Sequence, residues 1–335
     1  MATPAAGGNG TQLAEEARAG SRRALSRLLT AVESRTPVAE AAMRLLYPRA
    51  GSAHVVGITG PPGGGKSTLV SALVAAARAA DRPVAVLAID PSSPVTGGAI
   101  LGDRIRMTDY AGDGDVFIRS MASRGHLGGL AGTTAESAAV LDACGFGLVF
   151  IETVGTGQSE VEVASIADTT VVVQAPEMGD EIQAMKAGLL EVADLVVVNK
   201  ADRPGADRAA MQLRSMLTLG DEGAGSDDRP RPKRPEVLLA SGLTVEGVPE
   251  LLATLDRLHE ARADDDGPQA ARLARARAQI QGILADRTRA ALWSSARRAE
   301  TDALMLRVAT HELDPYAAAD LLLQHLRGEP SAESG

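Results

Sequence analysis

Residues 54–67 read HVVGITGPPGGGKS, an apolar run that breaks into a glycine- and proline-rich turn beside a single lysine. The turn fits the pattern G-x-x-x-x-G-K-[ST], with Gly60, Gly65, Lys66 and Ser67 at its fixed positions. Glycines let backbone N–H groups curl inward around an anion with no Cβ in the way, which draws in Gly63 and Gly64. Lys66 has the reach for β- and γ-phosphates, and Ser67 has the hydroxyl for an accompanying magnesium ion. From Ser67 and Thr68 onward, STLVSALVAAARAA is helix-forming, so the positive end of a helix dipole faces the same anion. A chance glycine-rich turn would not require a strand before it and a helix after it. The stretch is therefore a phosphate-binding loop for a nucleoside triphosphate.

Bulk properties narrow the class. A chain of 335 residues can bury one large core with appendages. Its formal net charge of -9 leaves no basic excess for coating nucleic acid. One cysteine, Cys144, rules out an internal disulfide framework and suits a reducing compartment. No apolar stretch approaches the ~20 residues that span a bilayer. The start, MATPAAGGNGTQLAEEARAG, lacks the basic-then-apolar order of a signal peptide. The expected location is the cytoplasm.

The expected fold class is α/β: a P-loop NTPase with a mostly parallel β-sheet flanked by helices, plus N- and C-terminal helical extensions. Seven β-rich runs, HVVGIT, PVAVLAI, DVFIRS, LVFIET, TTVVVQA, DLVVVNK and EVLLAS, alternate with helical segments. Several are apolar without alternation, as strands covered on both faces are. The expected boundaries are a disordered tail at 1–11, a helical extension at 12–50, the P-loop domain at 51–260, a helical region at 261–328 and a tail at 329–335. Residues 221–235, DEGAGSDDRPRPKRP, read as a surface loop.

The base is read further on. DLVVV runs into NKAD at residues 199–202, which fits N-K-x-D. Asp202 can accept from the N1–H and exocyclic amine of guanine, which adenine does not offer. Asn199 can fix the loop, and the stem of Lys200 can cover the ring. A site built for those donors rejects a base that lacks them. NKAD also fits a helix start capped by Asp202. In LLASGLTVEG, Ser241, Gly242 and Leu243 stand where backbone amides could approach the guanine O6, although Ser-Gly is ordinary turn chemistry as well. Between the phosphate and base motifs, Asp90 ends one strand and Glu152 another, and Asp103 follows a glycine-containing loop. Hard oxygen ligands suit magnesium, so Ser67, Asp90, Asp103 and Glu152 are its candidate holders. Gly155 could sense the γ-phosphate. Each such Asp taken singly also fits a cap or turn.

The blocks IDPSSPVTGGAILGDRIRM, SRGHLGGLAG, IETVGTGQSE and GDEIQAMKAGLLEVADLVVVNKAD closely resemble the MeaB/MMAA family of GTPases, also labelled ArgK-type or LAO/AO-transport ATPases. The resemblance covers nearly the whole chain. It implies a SIMIBI-class G domain and a C-terminal extension that forms a homodimer. It also implies a chaperone of adenosylcobalamin-dependent acyl-CoA mutases, chiefly methylmalonyl-CoA mutase, driven by GTP binding and hydrolysis to GDP. By the same resemblance PEMGDEIQAMK, residues 176–186, is an additional switch loop that responds to the mutase, with Lys186 as its signalling residue. Thr156 stands where a small apolar residue is expected, and SGL replaces the more usual SAL.

Hydrolysis would be in-line attack of water on the γ-phosphate, with Lys66 and backbone amides neutralising charge. Asp103 and Gln158 are rival candidates for orienting that water. Arg104, Arg106, Arg119 and Arg124 lie near the switch regions, where each fits a salt-bridged residue as well as an arginine finger. His126 and Cys144 read as packing residues, and five scattered histidines form no metal-spaced cluster. Trp293 fits either a dimer seam or an internal core. A nickel metallochaperone GTPase should show His/Cys-rich tracts, and a signal-recognition GTPase should add a basic, Met-rich module; neither is present.

Overall fold

All seven expected strands are present and belong to one sheet: β1 (His54–Thr59), β2 (Val84–Pro91), β3 (Val116–Ser123), β4 (Leu148–Thr153), β5 (Thr169–Gln174), β6 (Leu195–Val198) and β7 (Glu236–Leu239). The computed structural model describes residues 4–91, 110, 112–123, 129–153, 159–176, 187–219, 234–263, 267–294 and 297–327. The sheet order is β3-β2-β4-β1-β5-β6-β7, and every pairing is parallel. The strand that carries the phosphate loop is thus central. Parallel strands need crossovers, and the helices that make them cover both faces.

Side-chain alternation sorts the residues between those faces. Val84, Val86, Leu148, Phe150, Val56 and Ile58 share an apolar cluster with α4 (Lys66–Ala79) and α9 (Val248–Ala263). Ala85, Leu87, Ile89, Val149 and Ile151 face the other way. There they meet α5 (Gly129–Ala143), α6 (Ser159–Ile166) and three N-terminal helices, α1 (Pro4–Arg18), α2 (Arg22–Glu33) and α3 (Pro37–Leu46). On the far half of the sheet, α7 (Ala187–Val192) and α8 (Ala206–Leu219) pack on Val172, Val196, Val198 and Val237. Ser21 and Thr36 cap α2 and α3 by accepting from the amides of Ala24 and Ala39, and Pro37 opens α3 with its φ already helical.

The N-terminal helices are part of the main core. Leu25, Leu28, Leu29 and Val32 of α2 are buried in the cluster that holds β2 and β4. Arg119 on the edge strand β3 donates to Glu33 at 2.7 Å and to Thr30 Oγ1 at 3.1 Å, so this arginine serves α2. Of the four arginines named near the switches, it is the one among the described residues, and it is salt-bridged. A helix runs from Pro4 where a tail was expected over 1–11. Within it lies Gly10, where a Cβ would lie 2.4 Å from the carbonyl oxygen of Val38, so its bareness lets α1 close on α3. Residues 220–233, most of the expected surface loop, lie outside the described residues.

Backbone packing divides the chain into two units, residues 1–272 and 273–335. The second is helical: the later part of α10 (Gly267–Leu292), then α11 (Arg298–Ala309) and α12 (Pro315–Arg327). Thr301 Oγ1 donates to the Leu292 carbonyl, and Leu304, Ala318 and Leu322 form its buried seam. Among the described residues no helix is long and apolar enough to cross a membrane.

At the N-terminal edge of the sheet the structure brings together two histidines that sequence spacing did not connect. The rings of His54 and His259 stack with centroids 4.4 Å apart, and His54 Nε2 lies 2.9 Å from Thr169 Oγ1. Burial, then the charges of His259, Arg262 and Arg82, lower the His54 pKa from 6.5 to about 3. Between those values the unfolded chain binds a proton that the folded chain does not, so folding stability rises with pH there. Stability is therefore expected to fall as pH drops below 6.5 towards 3, and His54→Gln should flatten that slope. Urea midpoints at pH 7, 6 and 5 for both proteins check this. A second expectation follows from the core: Leu28→Ala should cost about 2–5 kcal/mol in the same titration, despite lying outside the phosphate-loop region.

Candidate nucleotide-binding site

Because all the strands run one way, the loops after β1, β2, β4, β6 and β7 leave the sheet at one edge, where open α/β sheets bind ligands. The phosphate loop begins at Gly60, whose φ is +134° and whose absent Cβ would stand 2.2 Å from the carbonyl oxygen of Val173. It ends at Gly65, φ +82°, which caps α4. Gly63, Gly64, Lys66, Ser67 and Thr68 complete the turn into that helix. The Lys66 ammonium donates to the Gly60 carbonyl at 2.7 Å and the Pro61 carbonyl at 3.0 Å, which sets it across the mouth of its own loop.

Ser67 Oγ donates to Glu152 Oε1 at 2.5 Å. This contact follows from register: Ile58 of β1 is level with Glu152 of β4, and Glu152 shares the α4 face with Leu148 and Phe150. A buried carboxylate against the helix's first hydroxyl offers two hard oxygens side by side, which suits magnesium. On β2, Ala88 is level with Glu152, so the backbone of Asp90 lies two residues further along at the same edge. Asp103, Gly155, Gln158, Lys186, Arg104, Arg106, Arg124, Thr156 and His126 lie outside the described residues.

Asn199 joins the two halves of the site. Its Nδ2 donates to the carbonyls of Gly64 at 2.9 Å and Gly65 at 3.1 Å, and its Oδ1 accepts from the Gly242 amide at 3.1 Å. Two carbonyls on one side and an N–H on the other fix the orientation of the side-chain amide. Lys200 follows with φ +62°, a left-handed conformation that turns the chain towards Asp202. The Ser241 hydroxyl donates to Asp202 Oδ1 at 2.5 Å and accepts from the Thr244 amide at 3.1 Å. The backbone amides of Ser241 and Gly242 are engaged by the Glu246 carbonyl and by Asn199. Leu243 is 77% exposed at the tip of this loop.

Sequence reasoning gave Ser241 a backbone role and missed its hydroxyl as the partner of Asp202. The available signal was a hydroxyl residue, in place of an apolar one, directly after the run EVLLA. The thiol of Cys144 is partly buried, and burial raises its pKa to about 11, in keeping with a packing role. Among the described residues no group of three or more His, Cys, Asp or Glu side chains could hold a metal.

A central parallel sheet with a glycine-rich loop between β1 and α4 defines a P-loop NTPase fold. The chain belongs to the MeaB family: the family model for methylmalonyl-CoA mutase-associated GTPase MeaB matches residues 25–298. A candidate GTPase of Pyrococcus abyssi is 42% identical over 317 residues, which is 95% of this chain and 97% of that protein. GTPase ArgK of Escherichia coli is 45% identical over 189 residues, 55% of this chain and 57% of its own. Among solved structures, a LAO/AO transport system kinase superposes with a TM-score of 0.65 at 26% identity, over 98% of this chain and 99% of that one.

Gly242 offers a sharp test of the joined site. A Cβ there would lie 2.7 Å from the Leu69 amide nitrogen and 2.8 Å from the Thr68 carbonyl carbon, both backbone atoms of α4. Gly242→Ala is expected to weaken GDP binding by about tenfold or more, roughly 1.4 kcal/mol. Ser241→Ala should instead erode the preference for guanine over hypoxanthine nucleotide, because Asp202 loses the hydroxyl that orients it towards the exocyclic amine. Fluorescent-nucleotide titrations distinguish the two.

Proposed function

We propose that this chain binds GTP at the joined site, hydrolyses it slowly to GDP, and uses the cycle to gate adenosylcobalamin loading and the protection or reactivation of an acyl-CoA mutase, chiefly methylmalonyl-CoA mutase. The observation that carries the nucleotide assignment is Asn199, whose three hydrogen bonds tie the phosphate loop to the loop that contains Ser241 and Gly242. Base identity and phosphate position are then properties of one rigid unit. Asp202, held at Oδ1 by Ser241, keeps a second oxygen for the donors of guanine. Membership of a mutase-associated GTPase family supports the partner.

The phosphate chain would lie along the amides of residues 63–68 at the N-terminus of α4, with Lys66 beside it. Ser67 and Glu152 would hold magnesium, with Asp90 and Asp103 as further candidates; when bound, that ion neutralises phosphate charge. Asp103 or Gln158 would orient the attacking water. The switch loop at 176–186 and Lys186 would relay the partner's presence. Ile280, Leu284, Trp293, Leu306 and Tyr316 of the second unit are exposed apolar side chains, which supports a homodimer formed by the C-terminal helices. The working compartment is taken to be the cytoplasm, with no role in nucleic-acid or membrane binding.

Steady-state phosphate release with GTP, with and without the host's methylmalonyl-CoA mutase, tests this directly. The expected result is slow GTP turnover that rises several-fold with the mutase, while ATP is inert. Unchanged GTP turnover would redirect the partner to a sister mutase. Equal turnover of ATP would overturn the guanine assignment and favour the transport-kinase function.

A further inference from the structure

Directly beneath the phosphate loop, β1 and β4 stop pairing one residue before each strand ends. The backbone ladder between β1 and β4 ends at the pair Ile58 and Glu152. One residue further on, Thr59 is level with Val172 of β5, and Thr153 with Ile89 of β2, so the two central strands lean to opposite neighbours. Side chains bridge the gap. The Thr153 hydroxyl donates to Thr59 Oγ1 over 3.2 Å, a long hydrogen bond, with the Ile58 carbonyl 3.5 Å away. Both threonines are completely buried.

Alternation places this pair opposite the metal-binding candidates. Glu152 faces α4 with Leu148 and Phe150, whereas Thr153 follows Val149 and Ile151 onto the face that packs α5 and α6. Thr59 follows Gly57, whose missing Cβ would touch Val163 and Ala167 beside α6. Each threonine adjoins a residue of the site: Thr59 precedes Gly60, and Thr153 follows Glu152. For the fold alone, two valines would serve better here. They fill the same space in a strand and have no hydroxyl to desolvate, and replacing both partners of a buried pair by apolar groups of the same shape is nearly neutral or stabilising.

We propose that Thr59 and Thr153 are positioning residues: their hydroxyl pair holds the ends of β1 and β4 together, so that the Glu152 carboxylate stays against Ser67 and the site answers to magnesium and the γ-phosphate. The inference rests on the GTPase function proposed above. Without the pair the strand ends are free to part at the level where the ladder has stopped, and Glu152 loses its fixed distance from α4. GDP binding draws on the glycine-loop amides and Asn199 and is largely indifferent to this.

The test uses the full-length protein with Thr59→Val/Thr153→Val. Its melting temperature is expected to equal or exceed that of the wild type, with GDP affinity within about twofold. The magnesium concentration for half-maximal binding of a non-hydrolysable GTP analogue should rise, and GTP turnover should fall, each by about tenfold. Thr59→Ser/Thr153→Ser, which keeps the hydroxyls and removes the methyls, should restore the wild-type magnesium requirement. A valine pair with wild-type magnesium requirement and turnover would overturn the proposal. So would a serine pair whose magnesium requirement rises about tenfold above that of the wild type, and that measurement decides the matter by itself if the valine pair fails to fold. Wild-type protein that binds no guanine nucleotide would overturn the GTPase function, and this inference with it; an active wild type matched by its valine variant overturns this inference alone.

Discussion

The buried amide of Asn199 is the constraint around which the site is organised. Three hydrogen bonds from one side chain tie the carbonyls of Gly64 and Gly65 to the amide of Gly242. The loops that would read the base and the phosphates therefore cannot move independently, since separating them strands buried polar groups with no water to replace the lost partners. Gly242 completes the junction by lying so close to Leu69 and Thr68 that a methyl group would displace the backbone of α4.

That unit in turn depends on the sheet. Seven parallel strands deliver their C-terminal ends to one edge, and strand register, rather than any loop, sets Glu152 level with Ile58 and within reach of Ser67. The register is held by apolar cover on both faces. On one face this comes from α4 and α9, and on the other from α5 and α6, which the N-terminal helices back in turn. Leu25, Leu28, Leu29 and Val32 of α2 are buried in the same core cluster, where α2 packs on α5, and the ion pair of Arg119 with Glu33 fastens α2 to the edge strand. The N-terminal segment is therefore a structural part of the machine, not an appendage to it.

Much of this was legible in the residues. Several strand runs were continuously apolar, and the phosphate loop carried its lysine and serine at fixed spacing, so fold class and strand inventory followed from local chemistry. The extent of α1 was not legible, because it depends on the close approach of Gly10 to α3, which no local window shows. Nor were the hydroxyl partner of Asp202, the stacked rings of His54 and His259, or the Thr59–Thr153 contact. Each joins residues from 39 to 205 positions apart, and nothing in a local window marks them.

The sequence by itself determined that this chain builds a parallel α/β sheet, where its phosphate loop lies, and which motif follows its sixth strand. Those are short-range properties: hydrophobic runs, glycine spacing and a strand followed by N-K-x-D. Only the tertiary structure decided which strands are neighbours, and therefore that Glu152 meets Ser67, that Arg119 serves α2, and that one asparagine holds two loops. Strand order and register are set by long-range packing of faces that look alike in sequence, and neighbours in space leave no period to read.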